Sequence, residues 1–128
     1  MTSSLRDRGA AAVEFALVVP ILLTLVIGII EFGRAYNIQT TLSNAARDGV
    51  RVMSLQNDRA EARAAVKNAA FGLDIADTDI DVEPSNCAPT DSTPTATVTV
   101  TYPFELLSGY LPLNDFTLTG TGSMRCNG

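Results

Sequence analysis

One acidic side chain stands in an apolar setting. Glu14 lies inside the run from Ala10 to Ile30, AAAVEFALVVPILLTLVIGII, whose only other polar side chain is Thr24. A carboxylate placed there has two uses. It can snorkel to the headgroups from about one turn inside the run, or it can wait for a cationic partner in a low dielectric. The chain offers little else for covalent chemistry: it has no His, no Gly-rich phosphate loop and no nucleophile elbow, so catalysis is not expected. Cys87 and Cys126 lack CxxC spacing, which argues against a redox or metal pair. In an exported domain they are expected to form a disulfide that closes a loop of about 40 residues and contributes about 4 kcal/mol by chain entropy. Asp77, Asp79, Asp81 and Glu83 alternate, as calcium ligands in a loop can, but the Gly and the terminal acid of an EF-hand are missing. In a strand the four acids would instead share a solvent face opposite Ile80 and Val82. No cofactor and no resident metal is expected.

The elements that must carry these residues follow from length and pattern. With 128 residues, 46% hydrophobic and 18% charged, the chain has room for one membrane helix and one small domain. As a helix, residues 10–30 cover about 31 Å, the thickness of a bilayer core. Thirteen of them are Val, Ile, Leu or Phe. These favour insertion by roughly 4 to 8 kcal/mol, more than the approximately 2.5 to 3.5 kcal/mol that Glu14 costs at the bilayer centre. Residues 1–9 carry Arg6 and Arg8, and Glu31 follows the span, so the leader is expected inside and residues 31–128 exported. A cleaved secretory signal ending near Gly33-Arg34-Ala35 is the competing reading, but its apolar core would be shorter than this one.

Beyond the span, Phe32, Ala35, Tyr36, Leu42, Ala45, Ala46, Val50 and Met53 recur at helical spacing, which predicts one rod from Ala10 to about Leu55, roughly 70 Å long. Pro20 is expected to kink it or melt a turn. A second helix is expected from Asp58 to about Phe71. Asp58 is its N-cap, and Ala62, Ala65, Val66, Ala69 and Ala70 are its buried face. Its basic stripe of Arg59, Arg63 and Lys67 is either solvated or available to lipid or a partner. Strands are expected over Thr95 to Phe104 and Phe116 to Cys126, with a shorter one over Asp79 to Val82. Gly120 and Gly122 would let another element pack closely on the sheet. The fold class is α+β: a long N-terminal helix, a second short helix and a small antiparallel sheet of about three strands.

Charge is uneven. Residues 31–67 carry six basic and four acidic groups, and residues 68–128 carry one basic and eight acidic. Two subunits could attract through such ends. The net charge of −5 disfavours nucleic acid as a partner.

Arg6-Asp7-Arg8-Gly9, followed by an apolar helix with Glu14 at its fifth position, resembles the prepilin signal of type IV pilins. Together with Glu31-Phe32-Gly33-Arg34 and Asn44-Ala45-Ala46-Arg47-Asp48-Gly49-Val50-Arg51, it looks like the TadE-like proteins of the tight-adherence pilus system. The likeness covers approximately residues 6 to 55. It implies cleavage between Gly9 and Ala10 by a prepilin peptidase. It also implies that the new Ala10 ammonium of a neighbouring subunit pairs with Glu14, and that the chain is a minor pilin-like structural subunit. The implied partners are other pilin subunits, the pilus assembly machinery and the lipid bilayer. The implied location is the inner membrane, then the pilus fibre after processing. Phe15 departs from the Tyr usual in major subunits. The alternative is a single-pass, membrane-anchored exported binding domain that never polymerises.

Overall fold

The structure, a computed structural model, describes residues 3–88, 94–107, 109, 114 and 116–126. The element order is α1 (Ser3–Gln56), α2 (Arg59–Ala69), a 3-10 turn (Asp77–Asp79), β1 (Ile80–Glu83), β2 (Thr95–Phe104) and β3 (Phe116–Arg125). The chain is α+β and divides into two compact units. One comprises Met1–Arg34 with Leu106–Pro112, the other Ala35–Glu105 with Leu113–Gly128.

In the first unit α1 is helical without a break through Pro20, so neither a melted turn nor a change of helix type occurs there. The proline leaves the Ala16 carbonyl without its helical donor, and the helix absorbs that loss locally. One turn on, Thr24 Oγ1 donates to the Pro20 carbonyl at 2.8 Å.

The second unit is a three-stranded antiparallel sheet, order β1-β2-β3, covered on one face by α2 and by the part of α1 after Ala35. Alternation decides what each strand buries. Ile80 and Val82 of β1 and Ala96, Val98, Val100 and Phe104 of β2 face the helices, while the threonines of β2 and β3 face away. From α1 the sheet receives Ile38, Leu42, Ala45, Ala46, Val50 and Met53, and from α2 Ala62, Val66 and Ala70. Phe32 and Tyr36, expected on that same stripe, are 74% and 68% exposed. The buried stripe of α1 begins only at Ile38. Ala65 and Ala69 of α2 are half-buried rather than fully covered.

β3 supplies the close contact. Gly120 and Gly122 have no side chain, so the α1 backbone lies against them. A Cβ on Gly120 would meet the Leu42 carbonyl and, at 2.7 Å, the Ser43 nitrogen; one on Gly122 would meet the Ala46 carbonyl oxygen at 2.7 Å. Gln39 Nε2 donates to the Thr119 carbonyl at 2.7 Å, and Ser54 Oγ meets Met124 Sδ at 3.1 Å. Residue numbers rise together along both elements, so α1 runs parallel to β3. Gly49 plays the same part for α2, where a Cβ would collide with the Val66 side chain and lie 3.2 Å from the Ala62 carbonyl oxygen.

The helices end on local chemistry. Asn57, at φ 55°, stops α1 in the left-handed region that Asn tolerates. Asp58 then caps α2, accepting from the Ala60 and Glu61 backbone nitrogens at 2.8 and 3.2 Å. Gly72, at φ 87°, turns the chain after α2.

Gly120→Ala tests the packing. Its methyl must displace helix backbone, so it should lower unfolding free energy by about 1 to 3 kcal/mol in thermal or denaturant melts. Gly33→Ala, on the same helix with open space around it, should leave it unchanged or raise it by up to about 1 kcal/mol. Equal melts for the two variants would contradict the packing.

Candidate functional site

The residues expected to carry function at the N-terminus lie on one helix. Gly9, Ala10 and Glu14 are all helical and exposed, and a Cβ on Gly9 would meet nothing within 4 Å. α1 is long and apolar enough to cross a membrane, and its most apolar window is unburied. Phe15, Leu17, Ile21 and Ile29 are each at least 64% exposed. In water this surface would be costly at about 25 cal/mol per Å2, so it needs lipid or other helices around it. An open groove of about 900 Å3 follows one side of the helix past Pro20, Leu25, Gly28 and Ile29. At the end of the run Glu31 is buried, and Arg34 Nε stands 3.6 Å from its Oε2, at i, i+3 spacing.

The cysteines meet. Cys87 and Cys126 are joined in a disulfide with 5.3 Å between their Cα atoms, and both are buried. The bridge ties the end of β3 to the segment after β1; residues 89–93 of the Pro-rich loop lie outside the described residues. Asn57 is a positioning residue that composition and periodicity did not single out. Its Oδ1 accepts from the Cys87 backbone nitrogen at 2.5 Å, and its Nδ2 donates to Asn86 Oδ1 at 2.7 Å. An Asn placed between an apolar-periodic helix and an Asp N-cap was the available signal.

The acidic run does not form one face. Asp77 and Asp79 belong to the 3-10 turn, and only Asp81 and Glu83 alternate on β1 opposite Ile80 and Val82. The strand begins one residue later than expected because the turn consumes the first acids. Among the described residues no three His, Cys, Asp or Glu side chains converge as a metal site would require. The basic stripe of α2 is partly used inside the molecule. Arg63 Nε donates to the Ile80 carbonyl at 3.4 Å, Lys67 Nζ reaches Asp77 Oδ1 at 2.7 Å, and Arg59 is half-buried. The hydrogen bond from Lys67, reinforced by its charge, holds the Asp77 carboxyl below its ordinary value of 3.8.

Residues 9–51 match the family described as TadE-like protein. The match begins at Gly9, takes in the apolar run and the Glu31–Arg34 junction, and ends within the segment that packs on the sheet, so the likeness to that family is confined to the N-terminal part of the chain. No curated protein and no solved structure matches the chain.

The match ends before α2, leaving the Lys67–Asp77 contact to be tested directly. Because the folded carboxyl is more acidic than the unfolded one, whatever the contact contributes is present above pH 3.8 and lost as pH falls through the lower, folded value. A carboxyl NMR titration should place the Asp77 midpoint below 3.8, and Lys67→Ala should return it to about that value. An unchanged midpoint would remove the contact.

Proposed function

We propose that this chain, TadE-like over residues 9–51, is a minor pilin subunit of a tight-adherence pilus, matured by cleavage between Gly9 and Ala10. The observation that carries the proposal is the helix from Gly9 to Ile30, with a single acid at its fifth position after the cut and no cover among the described residues. The leader stays inside, the span sits in the inner membrane, and the unit beginning at Ala35 lies on the far side.

Cleavage creates the missing partner for Glu14. A prepilin peptidase hydrolyses the Gly9–Ala10 amide, adding water across it. Gly9 leaves with a carboxylate and Ala10 keeps an ammonium. In a packed array of apolar helices, the Ala10 ammonium of one subunit lies within about 4 Å of the Glu14 carboxylate of its neighbour, where the low dielectric makes their attraction strong. A subunit entering at the wrong height leaves both charges unpaired in apolar surroundings, which is strongly unfavourable. Glu14 therefore checks register. The groove past Gly28 gives a neighbouring helix a close approach at a small residue. The chain acts as a structural subunit, with the peptidase, other pilin subunits and the assembly machinery as its partners.

Two variants separate the steps. Gly9→Ala should keep the leader attached, giving a slower band and membrane retention in place of shearable pili. Identical migration with normal pili would leave only a membrane-anchored domain that never polymerises. Glu14→Ala should be cleaved as in wild type yet fall at least about tenfold in sheared filaments. Normal incorporation would end the register role.

A further inference from the structure

We propose that the outer edge of β3, from Thr121 to Arg125, is a docking site for an extended acidic segment of a different polypeptide, which adds to the sheet as a fourth strand. This goes beyond the pilin reading and does not depend on cleavage after Gly9.

The ladder shows which backbone groups of β3 point away from β2. Cys126 N donates inward to the Pro94 carbonyl at 2.9 Å, continuing the register in which Ala96 pairs with Met124 and Val98 with Gly122. Even-numbered residues of β3 therefore bond to β2, and Thr117, Thr119, Thr121, Ser123 and Arg125 turn their N–H and C=O groups outward. Gln39 occupies the Thr119 carbonyl from that side. From Thr121 to Arg125 three donors and three acceptors face away from the sheet.

The two edges of the sheet differ. β1 has four residues, is followed by Pro84, and has its outward Ile80 carbonyl taken by Arg63 of α2. Those are the devices that guard an edge against added strands. β3 has ten residues with no proline, and its one charge is Arg125. Such an edge is a template for strand addition.

Charge selects the occupant. α1 runs parallel to β3 with Ala46 over Gly122 and Ser54 beside Met124. Arg47 and Arg51 are one and two helical turns from Ser43, on the side of α1 away from Gly49 and α2, and both are exposed. Arg125 is exposed on the other side of the same edge. These three arginines belong to neither the Glu31–Arg34 nor the Lys67–Asp77 ion pair. An incoming strand lies between cations above and below it, and acidic side chains on its two faces meet them.

A second copy fits poorly. Antiparallel pairing of β3 with itself would oppose Arg47 and Arg51 of one α1 to those of the other, and would point the two chains' Ala35 ends in opposite directions. Side-by-side pairing with a neighbour's β1 would bring Arg47 and Arg51 against the basic stripe Arg59, Arg63 and Lys67 of its α2.

The test uses the full chain in detergent micelles and two fluorescent probe peptides of one pattern, acidic Thr-Glu-Val-Glu-Val-Glu-Val-Thr and its lysine counterpart. The acidic peptide should bind and slow amide exchange at Thr121, Ser123 and Arg125 at least about fivefold, with little change along β1. Thr121→Pro removes an outward donor without touching the β2 ladder, so it should abolish binding while the melting temperature stays within a few degrees. Arg47→Glu combined with Arg51→Glu should weaken binding about tenfold, and raising salt should narrow that gap. Equal binding of both peptides, protection placed elsewhere, no binding, or self-association that occupies the same amides would each overturn the proposal.

Discussion

Backbone against backbone, α1 on β3, is the contact on which the folded unit depends. Two glycines two residues apart on a strand, Gly120 and Gly122, remove the side chains that would otherwise hold a helix about 10 Å from a sheet. Opposite them α1 answers with Leu42, Ala45 and Ala46, and one turn later Gly49 lets α2 approach. Small residues therefore set the geometry, while Phe104, Met53, Ile80 and the valines of β1 and β2 fill the remaining volume. The disulfide closes the arrangement at the far end of β3, and Asn57 ties that closure to the turn between the helices.

The same helix must satisfy a different solvent before Ala35. Its first half carries large aliphatic side chains on every side and buries almost none of them among the described residues, whereas its second half carries a narrow stripe facing the sheet. A soluble protein gains nothing from the first arrangement. In the role proposed here, lipid followed by other helices gives it a use, and Glu14 is the position at which those two surroundings differ sharply in what they tolerate.

Much of this was legible in the residues because strong periodicities carry it. The alternation of Thr95 to Phe104 fixed both the extent of β2 and its buried face, and Asp58 marked the start of α2. The glycines of β3 announced a close neighbour, and that neighbour is α1. What periodicity could not tell was where the neighbour ends. Phe32 and Tyr36 fit the helical spacing as well as Leu42 does, yet they are exposed, since spacing records direction around a helix and says nothing of how far along it the sheet extends. The acidic run misled for a related reason. Alternation alone does not separate a strand from a 3-10 turn that leads into one, and Lys67, ten residues before Asp77 in the chain, supplies a contact that no local pattern reveals. For Gly9, Ala10 and Glu14 the legible part was a motif, and the partner proposed for Glu14 belongs to another molecule.

The most direct measurement is the intact mass and N-terminal sequence of the native protein recovered from membranes and from sheared surface material. The account requires a chain that starts at Ala10, shorter by nine residues, in both fractions. A protein that still begins at Met1 and keeps Arg6 and Arg8 would have no free ammonium to offer Glu14, and the account would fail.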